Sequence, residues 1–234
     1  MAYTKRLDGR KFDQIREMDA KVGVIKRATG SAMFKMGKTI AYAAVYGPRD
    51  VFPSFLQNPG RGILRCYYDM WSFSVTERKR PGPTRRSTEI SKVSEAALFP
   101  ALDLTKFRST GFDVYINIIQ ADAGTRTAGI NAAALALADA GVPMKDMVCS
   151  VAVGKVGNKI CVDLTKDEED YAEGATDLPV AVMPRSGKIT LLQMDGNMTQ
   201  KEIKEALEMS KKAAKEIEKL QVKALKEKYK GDGK

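Results

Sequence analysis

Residues Asp113–Gly141 read DVYINIIQADAGTRTAGINAAALALADAG. Val114, Ile116 and Ile118 alternate with Tyr115 and Asn117, the period of a strand with one face in a core. Asp113–Ala121 is therefore expected to be extended. The alternation stops at the turn Asp122-Ala-Gly-Thr-Arg126. Thr127–Ala140 then reads as an alanine-rich helix closed by Gly141. Alanine on every side predicts a helix packed closely on several faces.

Strands are expected upstream at Val22–Ala28 and Lys38–Tyr46, with Gly30 and Gly37 punctuating their connection, and at Gly62–Val75. Ser87–Leu98 changes to a helical period, with Ile90, Val93 and Ala97 on one face. Downstream, Met147–Val153 and Lys159–Leu164 flank the hairpin signal Gly157-Asn158. Further strands are expected near Pro179–Met183 and Ile189–Met194. Thr199-Gln-Lys-Glu202 is a capping box opening a long helix with the apolar stripe Ile203, Leu207, Ala214, Ile217 and Leu220. Strands then helix, twice over, predicts an α+β protein of two similar halves, 1–143 and 144–228, with a basic tail at 229–234.

The charge is +10 and the chain has no histidine. The basic excess favours polyanionic partners, nucleic acid first. Lack of imidazole excludes Ser–His–Asp and Cys–His nucleophilic catalysis and His-ligated zinc. Chemistry must run on carboxylates, lysine, arginine, tyrosine, hydroxyls, amides or an oxygen-held metal. Cys66, Cys149 and Cys161 have no paired or metal-like spacing, which fits buried thiols in a reducing compartment. No apolar run approaches the roughly 20 residues of a membrane span, and the start lacks a signal-peptide core. A cytoplasmic protein is expected.

Three segments carry candidate chemistry. Glu77–Arg86 holds five basic residues around a Pro-Gly-Pro loop and ends where a helix begins. Arginine binds phosphate in bidentate fashion, and a helix start adds free amides. A solvated surface loop would share this composition. In Asp122–Thr127, Gly124 admits close backbone approach, Thr125 offers a hydroxyl and Arg126 a charge. Thr125 or Thr127 could equally serve as an ordinary helix cap. The third segment, Asp163–Asp177, has seven carboxylates and one lysine. Most should be solvated, but Asp177 directly precedes the apolar run Leu178–Met183, a position suited to proton transfer or metal binding. Gly30 and Gly37-Lys-Thr39 superficially match a P-loop, but the glycine spacing is wrong and a strand follows.

Taken in order, several motifs resemble the RNase PH superfamily, most of all its archaeal exosome branch. They are Arg6-Leu-Asp-Gly-Arg10, Arg78-Lys-Arg-Pro-Gly-Pro83, Arg85-Arg-Ser-Thr-Glu-Ile-Ser-Lys-Val93 and Gln120-Ala-Asp-Ala-Gly-Thr-Arg126. Ala136–Pro143, Asp177-Leu-Pro-Val-Ala-Val-Met-Pro184 and Leu192-Gln-Met-Asp-Gly-Asn197 complete the set.

The resemblance implies an RNase PH-type fold, two βαβ halves of the ribosomal-protein-S5-domain-2 kind, forming a ring. It implies a phosphorolytic 3′→5′ exoribonuclease that takes inorganic phosphate as co-substrate, releases nucleoside diphosphates and can run in reverse to add RNA tails. By resemblance, Arg86, Gly124, Thr125 and Arg126 hold phosphate. Asp177 and Asp170 are the catalytic carboxylates, and the ligands of any Mg²⁺ or Mn²⁺. Asp170 and Asp177 stand one position further apart than in the family, so Glu169 and Glu173 are also candidates for the second acid. Arg78, Arg80, Arg85, Arg61 and Arg65 are expected to contact single-stranded RNA through its phosphates. Relatives often carry a basic residue after the proline near position 53, where this chain has Pro53-Ser54-Phe55. Expected partners are an inactive RNase PH-like paralogue, in a hexamer of three heterodimers, and caps with S1 or KH domains. The rival readings are a homohexameric tRNA-trimming RNase PH and a non-catalytic RNA-binding scaffold.

Overall fold

A computed structural model of the chain describes residues 3–77, 79–171 and 174–231. Arg78 and Glu173, both site candidates, lie outside the described residues, as do the last residues of the expected tail. In the first half, β1 (Met18–Val22), β2 (Gly30–Met36), β3 (Thr39–Asp50), β4 (Ile63–Met70) and β5 (Thr110–Gln120) form a sheet of order β1-β2-β3-β5-β4. Helix α1 (Arg85–Leu98) connects the parallel neighbours β4 and β5. After β5 comes α2 (Thr125–Asp139). In the second half, β6 (Cys149–Val156), β7 (Lys159–Val162), β8 (Ala175–Met183) and β9 (Lys188–Leu192) form an all-antiparallel sheet of order β7-β6-β8-β9. A short α3 (Lys166–Glu169) precedes β8, and the long α4 (Gln200–Gly231) follows β9. The parallel crossover thus belongs to the first half, while the second is the shorter variation.

Helix α2 explains the layering. Nearly all its residues are buried, and it packs on β2, β3 and β5 of one sheet and on β6 and β8 of the other. Methyl side chains let both sheets approach closely. Asn131 joins the halves: its amide donates to Ser150 O at 2.8 Å and its oxygen accepts from Ser150 N at 2.7 Å. Gln221 of α4 reaches the same place, donating to Val148 O at 3.3 Å. Buried amides such as these are tolerated because their donors and acceptors are matched.

The capping box at Thr199 is present, with Glu202 accepting from Thr199 N at 2.7 Å. Ala214 and Ile217 of the predicted stripe are fully buried, and Leu207 and Leu220 lie against the core. The helix continues through Tyr229 to Gly231, so the expected 229–234 tail is helical at its start. Tyr229 donates to Asp139 Oδ1 at 3.1 Å. All three cysteines are free and buried. No helix among the described residues is long and apolar enough to cross a membrane.

One predicted strand is displaced. The Val22–Ala28 segment is mostly turn, because Gly23 has φ +73° and Ser31 Oγ ties down Ile25 N at 2.8 Å. The strand is β2, between the two glycines, with Ala32, Phe34 and Met36 fully buried on one face. Its first residue abuts the end of α2. A Cβ at Gly30 would lie 2.2 Å from Ala140 N, a backbone atom that cannot swing aside. Gly30→Ala is expected to destabilise the fold by about 3 kcal/mol through overpacking, as read by denaturant unfolding.

Candidate active site

β5 delivers the chain into the turn Ala121–Gly124. Ala123 and Gly124 both adopt left-handed backbone, φ +56° and +60°. Gly124 is the N-cap of α2 and supplies no side-chain cap. Thr127 Oγ1 donates backward to Gly124 O at 2.7 Å. Neither threonine caps the helix, so its first amides are left for an anion. From beneath, Thr39 Oγ1 donates to Ala123 O at 2.7 Å and accepts from Asp122 N at 2.9 Å. A Cβ on Gly124 would come within 3.2 Å of Thr127 Oγ1 and 3.4 Å of Arg16 Nη2, so the turn is packed tightly from below.

Side chains gather around this helix start. Thr125 is buried and faces the buried Tyr68 hydroxyl, which completes no hydrogen bond. Burial pushes Tyr68 up to about 12, against the pull of Arg86 and Arg126. Arg126 Nη1 donates to Gln193 Oε1 at 2.5 Å, and Gln193 Nε2 donates to Glu89 Oε1 at 3.2 Å. This chain aims Arg126 across the boundary between the halves. Arg85 and Arg86 open α1 behind the cap Thr84, whose Oγ1 accepts from Ser87 N at 3.1 Å. Both arginines are exposed.

The second half contributes carboxylates. Asp177 in β8 exchanges backbone hydrogen bonds with Asp195, 2.9 and 2.8 Å, which sets two acids side by side. Its Oδ1 is buried without a partner. Burial raises the Asp177 pKa, the charges of Arg126 and Arg86 oppose the rise, and Asp195 reinforces it. Glu169, at the end of α3, is pushed up to about 7, first by burial and then by the charge of Asp177. Asp170 points elsewhere, to an exposed pair with Lys166 Nζ at 2.8 Å. The acid turned toward Asp177 is thus Glu169. Among the described residues, no three acidic or thiol side chains converge as a metal cluster. An unpartnered Asp177 oxygen beside Glu169 does suit a hard cation that takes most of its ligands from water and substrate.

Arg86, Gly124, Thr125, Arg126 and Asp177 therefore share one place. The remaining arginine candidates divide. Arg80 and Arg85 are exposed, the latter as the first residue of α1 next to Arg86. Arg61 lies over the Phe99 ring, 4.6 Å from its centroid. Arg65 spends its guanidinium on buried Asp113, at 2.6 and 3.0 Å. Sequence reading missed Tyr68, Thr39 and Arg16, which carry no motif signal of their own. Two exposed rings, Trp71 and Phe73, stack 5.7 Å apart on the segment whose Ser74 O accepts from Ala121 N at 2.9 Å.

The chain is similar to known proteins over nearly its whole length. The model of the 3′ exoribonuclease family, domain 1, matches residues 14–143, and that of domain 2 matches 146–213. The chain is 56% identical to the exosome complex component Rrp41 of Thermococcus kodakarensis, over 96% of this chain and 90% of that one. It is 52% identical to the Methanopyrus kandleri Rrp41, over 97% and 94%. Two solved structures share the fold. Rice Rrp46 has a TM-score of 0.81 at 22% identity, covering 92% of this chain and 98% of that one. A chain of the Archaeoglobus fulgidus exosome with RNA bound to the active site has a TM-score of 0.79 at 24% identity, covering 92% of each. On its sequence and its fold, the chain belongs to the RNase PH family of 3′ exoribonucleases.

Proposed function

We propose that the chain is a phosphorolytic 3′→5′ exoribonuclease, the catalytic subunit of an archaeal exosome. The observation that carries this reading is the meeting of Arg86 and Arg126, from the first half, with Asp177 from the second, at an uncapped helix start. The relatives named above are exosome components, and one structural neighbour is a chain of an exosome solved with RNA bound to the active site.

In this reading, inorganic phosphate sits on the first amides of α2, with Thr125 and the Arg86 and Arg126 guanidinium groups. Its charge is neutralised there, so it can approach the last phosphodiester of single-stranded RNA. A phosphate oxygen bonds to that phosphorus while the bond to the 3′ oxygen of the preceding nucleotide breaks. A nucleoside diphosphate leaves. The shortened strand receives a proton at its new 3′ hydroxyl from Asp177, whose raised pKa suits a donor. Phosphate's own proton restores Asp177. The reverse sequence adds nucleotides. Alternatively, Asp177 as a carboxylate, with Glu169 or with Asp170 once freed from Lys166, would hold a Mg²⁺ or Mn²⁺ ion, which would stabilise the leaving 3′ oxygen as a Lewis acid in place of that proton. Arg80 and Arg85, with Arg78, guide the strand by its phosphates, while the Arg65 candidate is paired with Asp113 and Arg61 lies on the Phe99 ring. The ring joins this chain to an inactive paralogue in three heterodimers, under caps with S1 or KH domains.

Phosphate added to the reconstituted ring should release nucleoside diphosphates from single-stranded RNA. Monophosphates in phosphate-free buffer would mean hydrolysis instead. Asp177→Ala is expected to lower kcat by about 10²–10⁴-fold with RNA binding retained; near-normal turnover would remove it from the mechanism. Arg86→Ala should raise the phosphate concentration for half-maximal rate, and an unchanged value would leave Arg126 as the sole anchor.

The Glu169 carboxyl ionises as pH rises through about 7, adding negative charge beside the phosphate site. KM for phosphate should therefore climb above that pH, and less steeply in Glu169→Gln. Parallel pH profiles of the two proteins would exclude Glu169. Asp170→Asn, run alongside, should change turnover less than Glu169→Gln; the opposite order would make Asp170 the second acid.

A further inference from the structure

The Arg6-Leu-Asp-Gly-Arg10 motif and the arginine that follows it at position 16 take no part in the substrate contacts above. Yet their charges are buried. The side chains of Arg6, Glu168 and Asp163 are fully buried, and that of Arg16 nearly so. Arg6 grips Glu168 of α3 through Nε at 2.8 Å and Nη2 at 2.6 Å, and Tyr3 donates to the same carboxylate at 2.8 Å. Arg10 donates to Asp163 O at 3.0 Å. These contacts pin the start of α3, in the second half, to the arm that precedes β1.

Arg16 goes further, because it touches both halves at once. Its Nε and Nη2 take the two oxygens of Asp163 at 2.8 and 2.7 Å, and its backbone N donates to the same carboxylate at 2.9 Å. Its remaining nitrogen, Nη1, donates to the carbonyl of Asp122 at 2.5 Å. Asp122 opens the phosphate turn. Asp163, held in left-handed backbone at φ +56°, lies just ahead of α3, which ends in Glu169 and leads to β8 and Asp177. One planar, rigid group thus spans the gap between anion turn and carboxylates. A buried pair of this kind adds little stability over an apolar substitute, so its worth lies in specifying geometry.

We propose that Arg16 is a positioning residue that fixes the Asp122–Arg126 turn at its working distance from the carboxylates of the second half. This rests on the phosphorolytic reading given above. Phosphate is held in the first half and Asp177 comes from the second, so a small error in their spacing falls on the reacting atoms. Lysine at this position keeps the charge but cannot reach Asp163 and the Asp122 carbonyl together.

The test compares Arg16→Lys, Asp163→Asn and Thr39→Val with wild type in the reconstituted ring, well below the melting temperature. Steady-state rates against inorganic phosphate, RNA affinity and thermal unfolding are measured together. Arg16→Lys is expected to lower kcat/KM for phosphate by about 10- to 100-fold, while RNA affinity stays unchanged. Thr39→Val loosens the turn but keeps the bridge, and should raise KM for phosphate with a smaller loss of kcat. A folded Arg16→Lys ring with wild-type phosphate kinetics overturns the proposal. So does a loss in RNA affinity equal to the loss in rate, which would mark general damage. Should Arg16→Lys fail to assemble, Asp163→Asn and Thr39→Val decide, and wild-type phosphate kinetics in both refute it. Wild-type turnover without phosphate would instead sink the phosphorolytic reading itself.

Discussion

A helix made of alanines can lie between two sheets only if every neighbour comes within a methyl group of its backbone. Helix α2 imposes this condition, and the rest of the molecule meets it. Gly30 has no side chain because the end of α2 occupies its space. Asn131, fully buried, matches its amide to the backbone of β6. Asp139, the last residue of α2, accepts from Lys228, Tyr229 and Ser31 N, and so draws α4 and β2 to one end. The opposite end is fixed just as firmly, and the anion turn is built there. Rigidity in the centre becomes precision at the tip.

Charge is distributed with the same logic. The chain is strongly basic, yet the arginines divide into two populations. Arg6, Arg16 and Arg65 are spent on Glu168, Asp163 and Asp113 inside the protein. Arg80, Arg85 and Arg86 stay exposed, where they can meet phosphates. A count of basic residues therefore overstates the surface available to nucleic acid. Around Asp177, two guanidinium groups lower and Asp195 raises the cost of ionisation, and burial outweighs each of them. The upward shift of Asp177 comes from its position more than from any single partner.

Much of this was legible in the sequence. The strand, turn and helix of Asp113–Gly141 follow from periodicity, and the Thr199 capping box and Gly157-Asn158 hairpin follow from local chemistry. Strand β2 was hidden because alanine, methionine and glycine carry weak strand preference, and its identity comes from pairing with β1 and β3. The short α3 was hidden in an acidic run that reads as solvated, although Asp163 and Glu168 are fully buried. Its orientation depends on Arg6, which is 162 positions away from Glu168. That long-range pair decides which neighbour faces the cleft, Glu169 or Asp170, and no local pattern encodes it. The same holds for Arg65, whose charge suggests RNA until Asp113 is seen beneath it.

Trp71 is the protein's one tryptophan. It is half exposed, stacked on Phe73, and rides on a segment hydrogen-bonded to the residue before the anion turn. The chain thus carries a single indole at the rim of its chemistry, which long-wavelength excitation separates from its eight tyrosines. Events at the turn can be followed optically in unlabelled protein, on the timescale of a stopped-flow mixer.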